Sequence, residues 1–475
     1  MIKFLFISIF YTVLINDVVL SGKNIVCYFG TWANYRTGDG KFTVDNIDPI
    51  LCTHLIYSFF GINNDGAIAI LDAWLDLSDG LNFIGKFNNL KKANPALKTL
   101  AAIGGWNWGS SKFSTVAKSS ILRNNFAVQT RKFCQKYGFD GIDIDWEYPA
   151  QRDGNPSIDK TNFVLMLKEM RIEFQKYGLL LTVAVAATAN SAAISYDIPS
   201  VSANVDYINL MEYDFHGYYD GLTGNNAPLY AGSADITEAQ KQINVNSSVK
   251  YWLKQGAPAA KLNLGMPLYG RTYTLSNANQ HGVGAPVSGA GAAGPYTKEF
   301  GFIGYNEICE IKLSNAWTKV WDDIQMVPYI YSGNQWIGYD NARSILAKCN
   351  LIKKYNLAGG MVWSIETDDF LGKCGNKFEL ITTLKNCLTY NNGNPTTTTQ
   401  KTTTKSPVIT TKSTTPATIT SSFVCKSNGY FRDPTDCTKF YYCYNSNRYT
   451  FICPANLYYD SNINSCNYPA SVNCP

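Results

Sequence analysis

The stretch GFDGIDIDWEYPA, residues 138–150, sets four carboxylates, Asp140, Asp143, Asp145 and Glu147, into an otherwise apolar run. Side chains of a β-strand alternate between two faces. Gly141, Asp143, Asp145 and Glu147 therefore share one face, Ile142, Ile144 and Trp146 share the other, and Asp140 falls out of phase. Three acids climb one face at roughly 6.5 Å per step. Burying like charges that close together raises the pKa of at least one of them, so some member of the ladder holds a proton near neutral pH. A protonated carboxyl within reach of a substrate is what general acid catalysis needs.

Such a strand must be positioned by others. Eight apolar, β-branched runs recur between residues 23 and 390: NIVCYFG, THLIYSFFG, KTLAAIGG, FDGIDIDW, LLLTVAVAA, VDYINLMEYD, KLNLGMPLYG and LAGGMVWSIE. Between them lie segments of helical spacing, including SILRNNFAVQTRKFCQKYG, DKTNFVLMLKEMRIEFQKYG, NARSILAKCNLIKKYN and GLNFIGKFNNLKKANP, which end in Lys-rich turns followed by Gly, Asn or Pro. Alternation of this kind predicts an α/β fold, a (β/α)8 TIM barrel. The excess between the seventh and eighth runs, residues 271–339, predicts an inserted α+β lobe forming one wall of a cleft. In a barrel of this type the active site lies at the C-terminal ends of the strands. Glu147 then ends the fourth strand, Tyr213 and Asp214 the sixth, Tyr269 and Arg271 the seventh, and Trp363 lies on the eighth.

Thirty-one Tyr and ten Trp against 16% charged residues favour neutral, ring-shaped ligands over phosphates. A net charge of +5 without a Lys/Arg run argues against nucleic acid. Residues 1–22 read as a secretory signal whose apolar core is too short to span a bilayer, so a secreted monomer with no membrane partner is expected. Thirteen Cys in an exported chain imply disulfides rather than metal ligands; seven lie between Cys27 and Cys387, and six crowd the last 51 residues. The odd group leaves one free thiol, expected to be Cys134 buried on an amphipathic helix. Residues 391–422 contain 13 Thr and no core-forming pattern, and read as an O-glycosylated linker between two folded units, 23–390 and 423–475. One N-glycosylation sequon begins at Asn246.

FDGIDIDWEYP matches the D-x-x-D-x-D-x-E signature of family 18 chitinases, and AAIGGWNWGS, INLMEYDFHG, LGMPLYGRTY and GGMVWSIETDDF resemble that family's other barrel motifs in the same order. The resemblance covers residues 23–388. It implies a retaining glycosidase without metal or cofactor, in which Glu147 is the general acid and the substrate's own acetamido oxygen is the nucleophile. Asp145 and Tyr213 would orient that acetamide, and Asp143 would share a proton with Asp145. Tyr28, Phe59, Gly105, Trp106, Met211 and Trp363 would line the sugar sites, Trp363 as the floor, with Asp214, Tyr269 and Arg271 as polar contacts. Three residues depart from the pattern. Ala102 stands where many relatives carry Ser, with the expected loss of a hydrogen bond to the acids. Tyr219 replaces a Trp found in some relatives, and Glu366 an Asp. The family's pairs imply Cys27–Cys52 and Cys309–Cys374, leaving Cys349 with Cys387.

From Cys425 to Cys474 the six cysteines are separated by 11, 5, 9, 12 and 7 residues, which resembles the peritrophin-type chitin-binding domain. A unit of about 50 residues buries too little apolar surface to stand without staples. The resemblance implies Cys425–Cys443, Cys437–Cys474 and Cys453–Cys466, and the aromatics of KFYYCYNSNRYTF are suited to stacking on pyranose faces. The expected partners are chitin and chitooligosaccharides. Two competing readings share the barrel: a silent chitin lectin, against which Glu147 argues, and an endo-β-N-acetylglucosaminidase, against which the C-terminal module argues.

Overall fold

A computed structural model describes residues 22–389 and, in the C-terminal segment, 423–425, 429–444, 447–453, 458–461, 465–467, 469, 472 and 474. The expected signal, apart from Gly22, and the expected linker lie outside the described residues.

All eight apolar runs form strands: β1 Asn24–Gly30, β2 His54–Ile62, β3 Lys98–Gly104, β4 Gly141–Asp145, β5 Leu180–Ala186, β6 Tyr207–Met211, β7 Leu262–Pro267 and β8 Gly359–Trp363. Each pairs in parallel with its sequence neighbours, and β8 returns to β1, closing the barrel. Strands covered on both faces read as near-continuous apolar runs, and β1 is buried at every residue. Alternation divides the two faces. Ile25, Cys27 and Phe29 pack outward against the helices, while Val26 and Tyr28 join Ile56, Leu100, Ala102, Ala184, Met211 and Met361 in a separate inner cluster. The acidic face of β4 belongs to that interior, since Asp143 lies in register with Ala102 of β3.

Helix Ser120–Tyr137 starts where the Ser119 side chain accepts from Leu122 N–H and stops at Gly138, whose φ of +81° a side chain would resist. Cys134 is buried on it and is a free thiol, as expected. Helices Asp159–Phe174 and Ala342–Lys354 also follow their predicted segments. The segment near residues 80–95 is shorter than its pattern, helical over Phe83–Asn89 with one 3₁₀ turn after it.

The lobe between β7 and β8 is an antiparallel sheet of Tyr269–Leu275, Val287–Ala290, Phe302–Gly304, Thr318–Asp322, Val327–Ser332 and Gln335–Gly338 with one helix, Tyr305–Leu313. It starts two residues earlier than expected. Tyr269 and Arg271 are therefore carried by the lobe's first strand rather than by the end of β7, with Leu268 alone between Pro267 and Tyr269. Cys27–Cys52 and Cys309–Cys374 are disulfide-bonded, as the resemblance implied, and the two cysteines it left over form Cys349–Cys387.

The C-terminal unit has a three-stranded sheet, Gly429–Arg432, Lys439–Tyr444 and Asn447–Ile452, and a hairpin of Tyr458–Asp460 with Ser465–Asn467. Cys425–Cys443 and Cys437–Cys474 are paired; Cys453 is disulfide-bonded, and the side chain of its expected partner, Cys466, lies outside those described. Of the aromatics expected to meet sugar, Tyr441 is buried and stacks on Phe423 at 4.5 Å, while Phe440 is half-buried and stacks on Tyr459 at 4.4 Å. The side chains of Tyr442, Tyr444 and Tyr449 are outside those described. Among the described residues no helix is long and apolar enough to cross a membrane.

Where helix Ala342–Lys354 packs on β7 and β8, Lys348 and Asp340 form an ion pair at 2.5 Å with both side chains at zero exposure. Removing one partner strands a charge in the core. Lys348→Met is expected to lower stability by about 3–5 kcal/mol, and Lys348→Met with Asp340→Leu to recover most of that. Urea denaturation followed by tryptophan fluorescence checks both; equal losses in the single and double variants would contradict the buried-charge account.

Candidate active site

A cleft of about 1200 Å³ opens over the C-terminal ends of the strands. Asp145, Glu147, Met211, Tyr213, Asp214, Phe59, Trp106, Tyr269, Arg271 and Trp363 line it, drawn from five strands or the loops after them and from the lobe.

The acid ladder runs from the barrel interior up to this cleft. Asp143 is fully buried and meets three donors: the Tyr28 hydroxyl on Oδ2 at 2.8 Å, and the Thr182 hydroxyl and Asn209 amide on Oδ1. Burial raises its pKa to about 6, and those three bonds pull against the rise. Asp143 stands in register between Ala102 of β3 and Thr182 of β5. Ala102 offers Asp143 no hydroxyl, and the opposite neighbour Thr182 donates one to its Oδ1. Asn209 is itself held by Asn263 at 2.9 Å, and Asn263 by Asn24 at 3.2 Å, a chain of amides that nothing in the strand patterns signalled.

Asp145 is in a different position. Among the described residues it makes no hydrogen bond to Asp143 or Glu147, and its Oδ1 is buried without a partner. Three donors occupy Asp143, and among the described residues no direct hydrogen bond joins it to Asp145. Burial, then the charges of Glu147 and Asp143, push the Asp145 carboxyl well above the usual range. Glu147 lies two residues past the end of β4 and is 8% exposed. Burial lifts its pKa to about 7, opposed by a hydrogen bond with Tyr148, raised further by Asp214 and lowered by Arg152. A carboxyl with such a pKa at a cleft wall can give up a proton and recover it near neutrality.

The cleft floor is aromatic. Trp363 faces Phe59 at 5.6 Å between ring centres and Trp32 at 6.1 Å, while Phe59 stacks on Trp32. Tyr28, expected to touch sugar, is 1% exposed and lies beneath this floor, its ring against Trp363 and its hydroxyl on Asp143. Gly105 is required by its surroundings: at φ +86° a Cβ would come within 2.7 Å of the Phe59 ring. Glu366 sits under the floor and ties the barrel seam, its carboxylate accepting from Gly30 N–H at 3.0 Å and the Ser364 hydroxyl at 2.6 Å.

The opposite wall carries Asp214, which accepts from the Tyr269 hydroxyl at 2.7 Å and pairs with Arg271 at 2.6 Å. Its backbone is left-handed, φ +56°, and is pinned by Asn226, which accepts its N–H at 2.9 Å. A non-glycine residue in that conformation persists only where its surroundings enforce it. Tyr213 lines the cleft, and its hydroxyl donates to the Met361 thioether at 3.8 Å, a weak acceptor that a stronger one in the cleft can replace. Trp32, Tyr35, Tyr218 and Tyr219 also line the cleft although neither strand pattern nor motif singled out the first three; exposed aromatics in the loop after β1, at 42% and 57%, were the available signal.

A closed parallel barrel with an acidic ladder opening into an aromatic cleft defines a glycosidase of the (β/α)8 type. The chain belongs to family 18 of the glycosyl hydrolases, whose pattern matches residues 24–368, and it carries a chitin binding Peritrophin-A domain at residues 425–474. It is 44% identical over 369 residues to probable chitinase 2 of Drosophila melanogaster, covering 75% of this chain and 74% of that one. A crystal structure of Ostrinia furnacalis Group IV chitinase in complex with allosamidin is 48% identical with a TM-score of 0.75, covering 77% of this chain and 98% of that one. Human YKL-39, described as a pseudo-chitinase with retained chitooligosaccharide binding, is 38% identical with a TM-score of 0.71, covering 77% and 99%.

The raised carboxyl of Glu147 has a thermodynamic consequence. Its folded pKa of about 7 exceeds the ordinary value of 4.5, so the folded chain keeps this proton longer than the unfolded one. Its contribution to stability therefore falls as pH rises from 4.5 to about 7, and the full penalty persists above that. Glu147→Gln is expected to be more stable than the parent near pH 8, by at most about 3 kcal/mol, and indistinguishable near pH 4. Urea titrations at both pH values check this; no gain at the higher pH would mean that the carboxylate is not buried as described.

Proposed function

We propose that the protein is a secreted endochitinase that hydrolyses β-1,4-linked N-acetylglucosamine polymers with retention of configuration. The observation that carries this reading is Glu147, a nearly buried carboxyl raised to about 7, facing a cleft floored by Trp363 and flanked by Asp145 and Tyr213. Glu147 donates its proton to the glycosidic oxygen as the bond to C1 breaks. The acetamido oxygen of the same sugar attacks C1, and the Tyr213 hydroxyl and the unpartnered Oδ1 of Asp145 hold the acetamide in line. Positive charge developing on the closing ring stabilises the anionic form of Asp145, which is where burial had made that form costly. Water, deprotonated by Glu147, then opens the ring and leaves a β-anomer.

The stacked rings of Trp363, Phe59 and Trp32 suit apolar pyranose faces, and Asp214, Tyr269 and Arg271 suit hydroxyl and amide edges. The Peritrophin-A domain supports tethering to insoluble chitin through the Thr-rich segment, which raises the effective concentration of neighbouring chains. The likeness to a pseudo-chitinase makes a lectin the natural rival, and the intact acid at Glu147 favours the enzyme.

Glu147→Gln is expected to lower turnover on chitin oligomers at least about hundredfold while keeping their affinity. Near-normal turnover in that variant rejects the acid assignment. Rapid proton NMR of the parent's first product is expected to show the β-anomer, and an initial α-anomer would exclude the substrate-assisted route. A chain ending near Leu388 is expected to keep activity on short oligomers and lose adsorption to insoluble chitin; undiminished adsorption would remove the tethering role.

A further inference from the structure

The loops after β3 and β4 form adjoining walls of the cleft, and they are clasped together. The Asp153 carboxylate accepts from Ser110 N–H at 2.8 Å and Ser111 N–H at 3.1 Å, and the Ser110 hydroxyl donates to Tyr148 O at 2.9 Å. Those bonds fix the bases of the loops. Arg152 acts one step further out. One of its guanidinium nitrogens, Nη1, donates to Trp106 O at 2.7 Å and to Glu147 O at 3.1 Å, and the guanidinium lies 4.0 Å from the Trp106 ring centre. Trp106 is 58% exposed and lines the cleft. To reach both carbonyls Arg152 adopts a left-handed backbone at φ +56°, and Ala150 beside it lies at +64°. Unfavourable conformations held in a loop next to reacting groups point to a positional demand.

We propose that Arg152 is a positioning residue for the hydrolysis: it backs one face of Trp106, so that the other serves as a rigid platform for the sugar chain, and it fixes that platform to the segment that carries the acid. The proposal rests on the reading of Glu147 as the acid and Trp106 as a sugar contact. A planar fork that bonds two carbonyls while stacking on an indole is a task for Arg rather than Lys. The same guanidinium is the cation among the groups that face Glu147. The others are Asp145 on β4, Tyr148 beside it, Tyr196 after β5, and Tyr213 and Asp214 after β6. Its charge lowers the Glu147 pKa against the upward pull of burial and Asp214. Arg152 thereby couples where the sugar is held to the pH at which the acid is lost.

The test separates the two contributions with two substitutions in the full chain. In Arg152→Gln the affinity for chitohexaose, measured by calorimetry, is expected to fall about threefold, and the alkaline limb of kcat/KM to move up by about half a pH unit. In Arg152→Lys the charge remains and the fork is lost, so the affinity falls while the limb stays near that of the parent. With Trp106→Ala already in place, Arg152→Gln is expected to cause no further loss of affinity. Additive losses at positions 106 and 152, parental affinity in Arg152→Gln, or equal limb shifts in the Gln and Lys variants would each overturn the proposal. Turnover surviving Glu147→Gln would instead remove the acid assignment, and the affinity cycle between 106 and 152 is read without reference to it.

Discussion

Three carboxyl groups on one strand face inside a closed barrel are the constraint around which the rest is arranged. Left alone, their burial and mutual repulsion would unfold the strand or protonate all three. The structure divides them. Asp143 at the bottom is met by Tyr28, Thr182 and Asn209, each from a different strand, and is the member equipped to carry charge. Asp145 above it has no such donors and is driven toward its neutral form, and Glu147 at the top sits between these states near neutrality. Unequal hydrogen-bond support along one strand thus becomes unequal acidity, and the two less supported groups line the cleft.

Barrel closure makes that unequal support possible. Only when β1 meets β8 do Tyr28, Asn209 and Asn263 converge on the interior of β4, and the seam is tied by Glu366 bridging Gly30 and Ser364. The expected place of Tyr28 in the sugar site was mistaken for the same reason. An inward position on β1 lies near the catalytic strand in any register, but the depth of the residue decides whether it meets sugar or the acid beneath the floor. Glu366, an apparently minor replacement, touches both the end of β1 and the residue after β8.

The walls follow a different rule. Trp363 and Phe59 come from strands, whereas Trp106, Asp214, Tyr269 and Arg271 are set by loops and by the lobe, and Asp214 stands on a left-handed backbone pinned by Asn226. Such segments hold shape by polar clasps rather than by apolar packing, which suits a cleft that must stay open to a polymer. The C-terminal module is built on a third principle. Among its described aromatics Tyr441 and Tyr459 are buried beside two disulfides, and Phe440 lies half-buried on Tyr459.

The sequence by itself determined the eight strands, the acid ladder, the free Cys134 and the order of the motifs. Each of these is written in local periodicity or in residue type along a single element. It placed Glu147, Asp145, Tyr213 and Trp363 together because all four sit at or just past the same end of parallel strands. Only the tertiary structure decided that Thr182 gives Asp143 a hydroxyl donor from β5, that Tyr269 and Arg271 belong to the lobe, and that Tyr28 and Asn209 reach Asp143 from β1 and β6. The reason is that hydrogen-bond partners separated by tens to hundreds of residues are fixed by strand register and barrel closure. Neither leaves a trace in the pattern of any one strand.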